Sequence, residues 1–285
     1  MPVNIARSIS GARELWGTGG KLGLNPLDRM KYALSWYMSR GFLASLAPAH
    51  FILRLPGGIR APIRPNGVDM RTLAEIFERK LYNLSVTGVK RVLDLGANIG
   101  LATLFFSWQF PEAELACVEP SPGNRDMLRE TIRLNRIRAT VFEGAVGTES
   151  GVAELHVGCE PDMFSLTPSQ SSAQRLTVRL FAVPELLAKM GWDEIDVLKI
   201  DIEGYEKTLL HENNSWLGRV RFIIGEAHGH VGYQIEHVRA DLAPFGFQVT
   251  QKSSDARYGL TVFEAARGEN PPDSANPPSD TRTLP

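Results

Sequence analysis

The sequence predicts an α/β fold: a doubly wound, mostly parallel sheet of seven strands with an N-terminal helical and strand extension. Three observations carry this. Apolar strand-like runs alternate with helical patterns from residue 91 to residue 264, the signature of strand–helix–strand units that build a parallel sheet covered on both faces. Four of those runs deliver glycine or polar residues at their carboxyl ends, where open α/β sheets bind ligands. The composition, 43% hydrophobic and 22% charged over 285 residues, is that of an ordinary globular chain. The length suits one α/β domain with an added segment, or two small domains.

Residues 1–30 are glycine-rich with little periodicity and are expected to wrap the surface, and residues 28–47 have an amphipathic helical pattern. Phe51 to Leu55 and Gly58 to Ile63 predict short strands around a Pro-Gly-Gly turn. Asp69 to Tyr82 predicts a helix, with Leu73, Ile76, Phe77 and Leu81 at helical spacing. Core strands follow at Arg91–Leu95, Glu114–Val118, Ala139–Phe142, Ile195–Ile200 and Val220–Gly225. Helices are expected at Leu101–Phe110, Pro122–Asn135, Val183–Lys189, Lys207–Leu210 and Ile235–Pro244. Ala153–Val157 with Leu176–Leu180 suggests an inserted hairpin, and Phe247–Gln251 with Leu260–Glu264 a closing one. The domain reading is a basic extension over 1–64, a catalytic α/β domain over 65–267, and a tail over 268–285 rich in Pro, Ser, Asn and Asp that is expected to be disordered.

Charge is unevenly spread. Residues 1–64 hold nine Lys and Arg against Glu14 and Asp28, a net +7, so the overall −1 leaves −8 for the remainder. A basic lobe suits an anionic substrate, a membrane surface or RNA, and equally a solvated face. The two cysteines, Cys117 and Cys159, form no CxxC or zinc spacing, which with the lack of a secretory leader pattern leads to the expectation of a reducing, cytoplasmic setting. Arg40, Pro48 and His50 interrupt the apolar run Tyr32–Leu55, too short of the roughly 20 apolar residues that a span needs.

Four runs carry chemistry. In Val92-Leu-Asp94-Leu-Gly96-Ala97-Asn98-Ile-Gly100 a buried strand ends in a glycine turn that opens a helix, where backbone can approach a ligand closely and free amides face it. A dinucleotide turn needs Gly-x-Gly-x-x-Gly, and Asn98 and Leu101 stand at its second and third positions, so a pyrophosphate has no seat. A zwitterionic methionine end, held by the Gly96 and Gly100 backbone with Asp94 near its ammonium, suits the turn better. Glu119, at the end of the next strand and followed by Pro120, is placed to accept both ribose hydroxyl protons. Asp201 and Glu203 follow the strand Ile195–Ile200, and Lys199 inside it needs a carboxylate partner. Glu226 and His228 end the strand Val220–Gly225, two apart and so on one face. His228 is the candidate general base because its ordinary pKa is near neutral. His230 is read as a loop histidine. Asp201, Glu203, Glu226 and His228 form an alternative divalent-metal set; no metal is expected.

Asp94-Leu-Gly-Ala-Asn-Ile-Gly100, Glu119-Pro-Ser-Pro122, Lys199-Ile-Asp-Ile-Glu-Gly-Tyr-Glu206 and Gly225-Glu-Ala-His228 together resemble the FkbM family of methyltransferases, as does the lead-in from Arg64 and Asp69 to Tyr82. The resemblance covers about residues 60–264. It implies a class I, Rossmann-like methyltransferase fold, S-adenosylmethionine as cofactor, and O-methylation of a hydroxyl on a sugar, polyketide or related metabolite. The cofactor set is then Asp94, Gly96, Ala97, Asn98, Gly100, Glu119, Pro120 and Asp201, and the catalytic set His228, Asp201, Glu203 and Glu226. Alternatives are an RNA methyltransferase using the basic lobe, a small-molecule N-methyltransferase, an NAD oxidoreductase and a non-catalytic binding module. No nucleic-acid partner is expected, since no aromatic nucleic-acid motif accompanies the positive charge. The N-terminal helix is expected to cover the cleft or form a homodimer contact.

Overall fold

The computed structural model describes residues 15–38, 48–157, 164–165, 174–255 and 259–268. Cys159, the end of the expected 28–47 helix and almost all of the tail fall outside them. The described residues open with α1 (residues 15–21) and α2 (Pro26–Met38), helical where a surface-wrapping coil is expected over 15–30. Leu22 and Leu24 between them are buried. β1 (Phe51–Arg54) and β2 (Arg60–Ile63) form the expected hairpin, antiparallel from Phe51 opposite Ile63 to Arg54 opposite Arg60.

The helix expected over Asp69–Tyr82 is shorter and two-part. α3 (Gly67–Leu73) is capped by the Asn66 side chain, which accepts from the Asp69 amide, and continues as a π turn over Ala74–Glu78. The chain leaves helical geometry at Lys80, φ +53°, and Tyr82 is in a turn. Helical spacing does not register the wider π turn, nor this exit.

The principal sheet follows the expected alternation: β3 (Arg91–Leu95), α4 (Leu101–Gln109), β4 (Glu114–Glu119), α5 (Pro122–Asn135) and β5 (Ala139–Glu143), then β10 (Ile195–Ile200), α7 (Glu206–His211), β11 (Val220–His228) and α8 (Ile235–Leu242), closed by β12 (Phe247–Asp255) and β13 (Leu260–Arg267). The strand order is β12-β13-β11-β10-β3-β4-β5. All neighbours are parallel from β11 to β5, and β13 alone runs against both of its neighbours. This is the doubly wound, mostly parallel seven-stranded Rossmann-like sheet of class I methyltransferases. The order reverses between β10 and β3, whose carboxyl ends therefore open a crevice. β11 is longer than expected and keeps Glu226 and His228 in extended conformation on one face.

Between β5 and β10 lies a second, four-stranded sheet in the order β6-β9-β7-β8, built from Ala145–Gly147, Gln174–Ala182, Gly151–Val157 and Phe164–Ser165. Its β7·β9 pair is the expected inserted hairpin; α6 (Val183–Met190) returns the chain to β10. Apolar cores cover both faces of the main sheet. One joins Val92, Phe105, Phe106 and Leu115 to Leu22, Tyr32, Leu53 and Phe77, so the N-terminal segment shares the sheet's core. The other joins Leu93, Leu198 and Ile223 to Leu209, Val238 and Phe263.

Candidate functional site

A cleft of about 580 Å³ opens at the carboxyl ends of β3, β4 and β10, lined by backbone and side chains of Gly96, Asn98, Glu119, Pro120, Asp201 and Glu203 among others. Gly96 has φ +78°, and a Cβ there would lie 1.8 Å from the Asp201 carbonyl oxygen. Only glycine fits, because this turn presses directly on the loop after β10. Asn98 is also left-handed, at φ +49°, which asparagine tolerates better than most residues.

Glu119 is buried and projects between the turn and α5. Its Oε2 accepts the Asn98 amide at 2.8 Å, and its Oε1 accepts the Ser121 amide at 2.9 Å and Asn124 Nδ2 at 3.3 Å. Burial raises its pKa, and those hydrogen bonds oppose the rise. Asn124, in turn, accepts from Arg64 Nη1 at 2.9 Å, and Arg64 is clamped by Asp69, Nη2 to Oδ1 at 2.8 Å. Arg64 and Asp69, conspicuous in the sequence lead-in, thereby anchor the residue that buttresses Glu119.

Three residues expected at the cofactor, Asp94, Ala97 and Gly100, do not line the cleft. Asp94 is fully buried, 3.3 Å from Lys199 Nζ, and accepts Thr103 Oγ1 at 2.7 Å, so its carboxylate points into the protein and not at a cofactor ammonium. Gly100 is buried outside the lining. Its φ is +85°, and a Cβ would meet Leu128 Cδ1 at 2.7 Å; this glycine serves the packing of α4 on α5. Ala97 is a core residue that is 2% exposed. Gly96, Asn98, Glu119, Pro120 and Asp201 do line it.

Lys199 is the link between the two strand-end loops. Its Nζ donates to the Gly96 carbonyl at 2.6 Å and lies 3.7 Å from Asp201 Oδ2. Burial opposes its charge, but Asp94, then Asp201 and Glu226, push its pKa upward. The carboxylate partner expected for this buried lysine is therefore a pair, Asp94 and Asp201.

Asp201, Glu203 and His228 converge, with ligand atoms within 4.8 Å of one another. Glu203 stands in the left-handed region at φ +55°, a conformation that persists only where surroundings enforce it. His228 Nδ1 sits 3.1 Å from Oε1 of the fully buried Glu206, and Nε2 is 3.8 Å from Glu203 Oε2. The same Glu206 oxygen accepts the Ile202 amide at 2.7 Å, tying the loop after β10 to the end of β11. Burial would lower the His228 pKa, but the Glu206 carboxylate, then the charges of Asp201 and Glu203, raise it to about 10. Those carboxylates favour the imidazolium over the neutral ring that a resting general base requires. Three donors could hold a divalent cation, though that ion would first have to displace the His228 proton. Glu226 is not among the three. Its Oε1 accepts Tyr82 Oη at 2.6 Å, and burial, with the charge of Asp201, raises its pKa to about 8.

Several lining residues escaped the sequence reading. Asn124 enters from the first turn of α5, and Ala145, Val146 and Leu155 form an apolar wall from the inserted sheet. Tyr205 and Ile202 complete the side nearest Glu203. Tyr205 lay in a quoted motif; the wall residues had no polar or glycine signal at all.

Residues 94–249, more than half of the chain, match the family model of the methyltransferase FkbM domain. The 31-O-demethyl-FK506 methyltransferase FkbM of Streptomyces tacrolimicus is 25% identical over 249 residues, covering 75% of this chain and 95% of that protein. The hexuronic acid methyltransferase AglP of Haloferax volcanii is 28% identical over 177 residues, covering 62% and 66%. The crystal structure of methyltransferase FkbM from Methylobacillus flagellatus aligns at 12% identity with a TM-score of 0.48, covering 92% of this chain and 60% of that one. The matched span contains every residue that lines the cleft, from Gly96 to Tyr205, and His228 as well, and the chain accordingly belongs to the FkbM family of methyltransferases.

Proposed function

We propose that this methyltransferase uses S-adenosylmethionine to methylate a hydroxyl of a sugar, polyketide or related small metabolite. The observation that carries the reading is the meeting, in one cleft, of the Gly96 turn and Glu119 with Asp201 and Glu203, the latter 3.8 Å from His228 behind it. The residues present fit the cofactor. Asn98 Oδ1, beside the seat, is buried with no hydrogen-bond partner among the described residues, an acceptor suited to an ammonium donor. Glu119 keeps acceptor capacity for ribose hydroxyls beyond the three donors that it already receives. Val146 and Leu155 offer an apolar surface to an aromatic base.

When bound, the cofactor supplies a methyl group on a sulfonium, a strong electrophile with a neutral leaving group. The chain's own task is to align an acceptor oxygen and remove its proton. Asp201 and Glu203, both partly exposed in the cleft, are assigned the proton. His228, held by Glu206, orients Glu203 and balances its charge; Glu226 supports the site from behind through Tyr82. The 2-O-methyltransferase NoeI of Sinorhizobium fredii, 24% identical over 207 residues, supports an oxygen acceptor, and the hexuronic acid methyltransferase of Haloferax volcanii a sugar-derived substrate. Incubation with methyl-labelled S-adenosylmethionine and sugar, polyketide and glycolipid extracts, with and without chelator, tests this by mass analysis. Label on a product hydroxyl is expected in both arms. Label confined to nitrogen, or no transfer from this cofactor, contradicts the reading.

A further inference from the structure

Helix α2 is inside out. Its inward face carries Asp28, Tyr32 and Ser35, all at most 2% exposed. Asp28 receives Asn25 Nδ2 at 2.7 Å, Lys31 Nζ at 2.9 Å and the Arg54 amide at 3.3 Å, and Tyr32 Oη donates to the Met70 carbonyl at 3.1 Å. The outward face carries Leu27, Met30 and Leu34, exposed by 52%, 53% and 36%. Their i, i+3, i+7 spacing makes a single stripe. Trp16 of α1, 45% exposed, packs elsewhere on α2, with the Arg29 guanidinium 5.8 Å from its ring centre. Three of the five large hydrophobic side chains exposed among the described residues therefore gather on this one helix face. A surface helix normally turns its apolar face to the core, and a clustered apolar patch marks an interaction surface.

Charge identifies the occupant. Lys31, next in sequence to Met30 of the stripe, enters a hollow whose lining includes His50, Arg54 and Arg60. Residues 1–64 together carry +7. A second copy of the chain would bring two such positive surfaces face to face, whereas a bilayer with anionic headgroups satisfies both the apolar stripe and its basic border. We propose that α1 and α2 form an interfacial docking surface for an anionic lipid bilayer, lying on it and not crossing it. None of the described helices is long and apolar enough to cross a membrane.

Co-sedimentation of the full chain with vesicles of phosphatidylcholine alone, and of phosphatidylcholine mixed with phosphatidylglycerol, tests the proposal. Binding is expected to the mixed vesicles and to weaken with added salt. The variant Leu27→Ser/Met30→Ser/Leu34→Ser should lose about tenfold or more in vesicle affinity while keeping its melting temperature, since all three side chains are exposed. Met30→Glu alone places a negative charge mid-stripe and should weaken binding in the same direction. Arg54→Gln/Arg60→Gln should flatten the salt dependence. Failure of the wild-type chain to bind phosphatidylglycerol vesicles, or unchanged binding by Met30→Glu, overturns the proposal. So does a solution dimer that the triple serine variant dissolves, which would give the stripe to a second copy.

Discussion

At the residue scale, the side chains that matter most divide into those facing the cleft and those holding them. Glu119 faces it and is assigned the ribose. Glu119→Gln removes one charged acceptor, and a hydrogen bond to a charged group is worth about 1.5–3 kcal/mol. The dissociation constant for S-adenosylmethionine should therefore rise roughly 10- to 100-fold by that principle, measured by calorimetric titration, and an unchanged value would remove Glu119 from the seat. His228 lies behind the acceptor side. His228→Gln should lower kcat by roughly 10- to 100-fold, below the roughly 100- to 10,000-fold of a group that itself transfers the proton, with the cofactor dissociation constant nearly unchanged; undiminished turnover would show that the imidazolium takes no part. Lys199 belongs to the holding class. Lys199→Met strands Asp94 without its cation in the core, and breaking a buried pair costs about 3–5 kcal/mol. Denaturant unfolding reads that loss, and a stability within about 1 kcal/mol of wild type would mean that the Asp94–Lys199 contact is not a working ion pair. The cleft-facing group was legible in the sequence because glycine and carboxylates at strand ends are conspicuous. The holding group was less so. Asp94 has the same position and charge in the sequence whether it faces ligand or lysine, and only the inward turn of its side chain decides.

At the element scale, the site depends on two loops in contact, the turn after β3 and the loop after β10. Gly96 is the point of contact. Gly96→Ala puts a methyl group 1.8 Å from the Asp201 carbonyl oxygen, so both loops must part, and cofactor binding should be lost even where the far-ultraviolet spectrum stays native. Binding retained within about twofold, a difference of about 0.4 kcal/mol, would contradict the contact. Gly100 differs in kind. Its obstacle is the far end of Leu128, which can yield, so Gly100→Ala should mainly cost stability. The alternating strands and helices were legible because apolar periodicity is a local property. The π turn over Ala74–Glu78 was not, since Leu73, Ile76 and Phe77 satisfy helical spacing either way. The apolar wall from Val146 and Leu155 was not legible for a different reason: the hairpin could be read, but where the inserted sheet docks is set by contacts distant in sequence.

At the scale of the whole molecule, one feature of the charge distribution governs behaviour with pH. His228 holds its proton up to about 10 against an ordinary 6.5, so its contribution to stability is fully present below pH 6.5 and is lost as pH rises through about 10. Glu226, raised from 4.5 to about 8 by burial, also binds its proton more tightly when folded, and so adds a loss of the same sign between those values. The melting temperature should fall as pH rises from 6.5 toward 10, and His228→Gln should flatten the upper part of that slope. A melting temperature that climbs over the same range would contradict the buried imidazolium. The N-terminal segment shares one core with the sheet, through Leu22, Tyr32 and Leu53, so its apolar outer stripe is a property of the folded enzyme and not of a detached arm. The central claim, that the Gly96–Glu119 cleft seats S-adenosylmethionine, is tested most directly by titrating the wild-type chain and Glu119→Gln with that cofactor and with NAD. Saturable binding of S-adenosylmethionine to the wild-type chain, weakened by the substitution, with no binding of NAD, is the predicted result; preferential binding of NAD, or equal S-adenosylmethionine affinity in both chains, would contradict it.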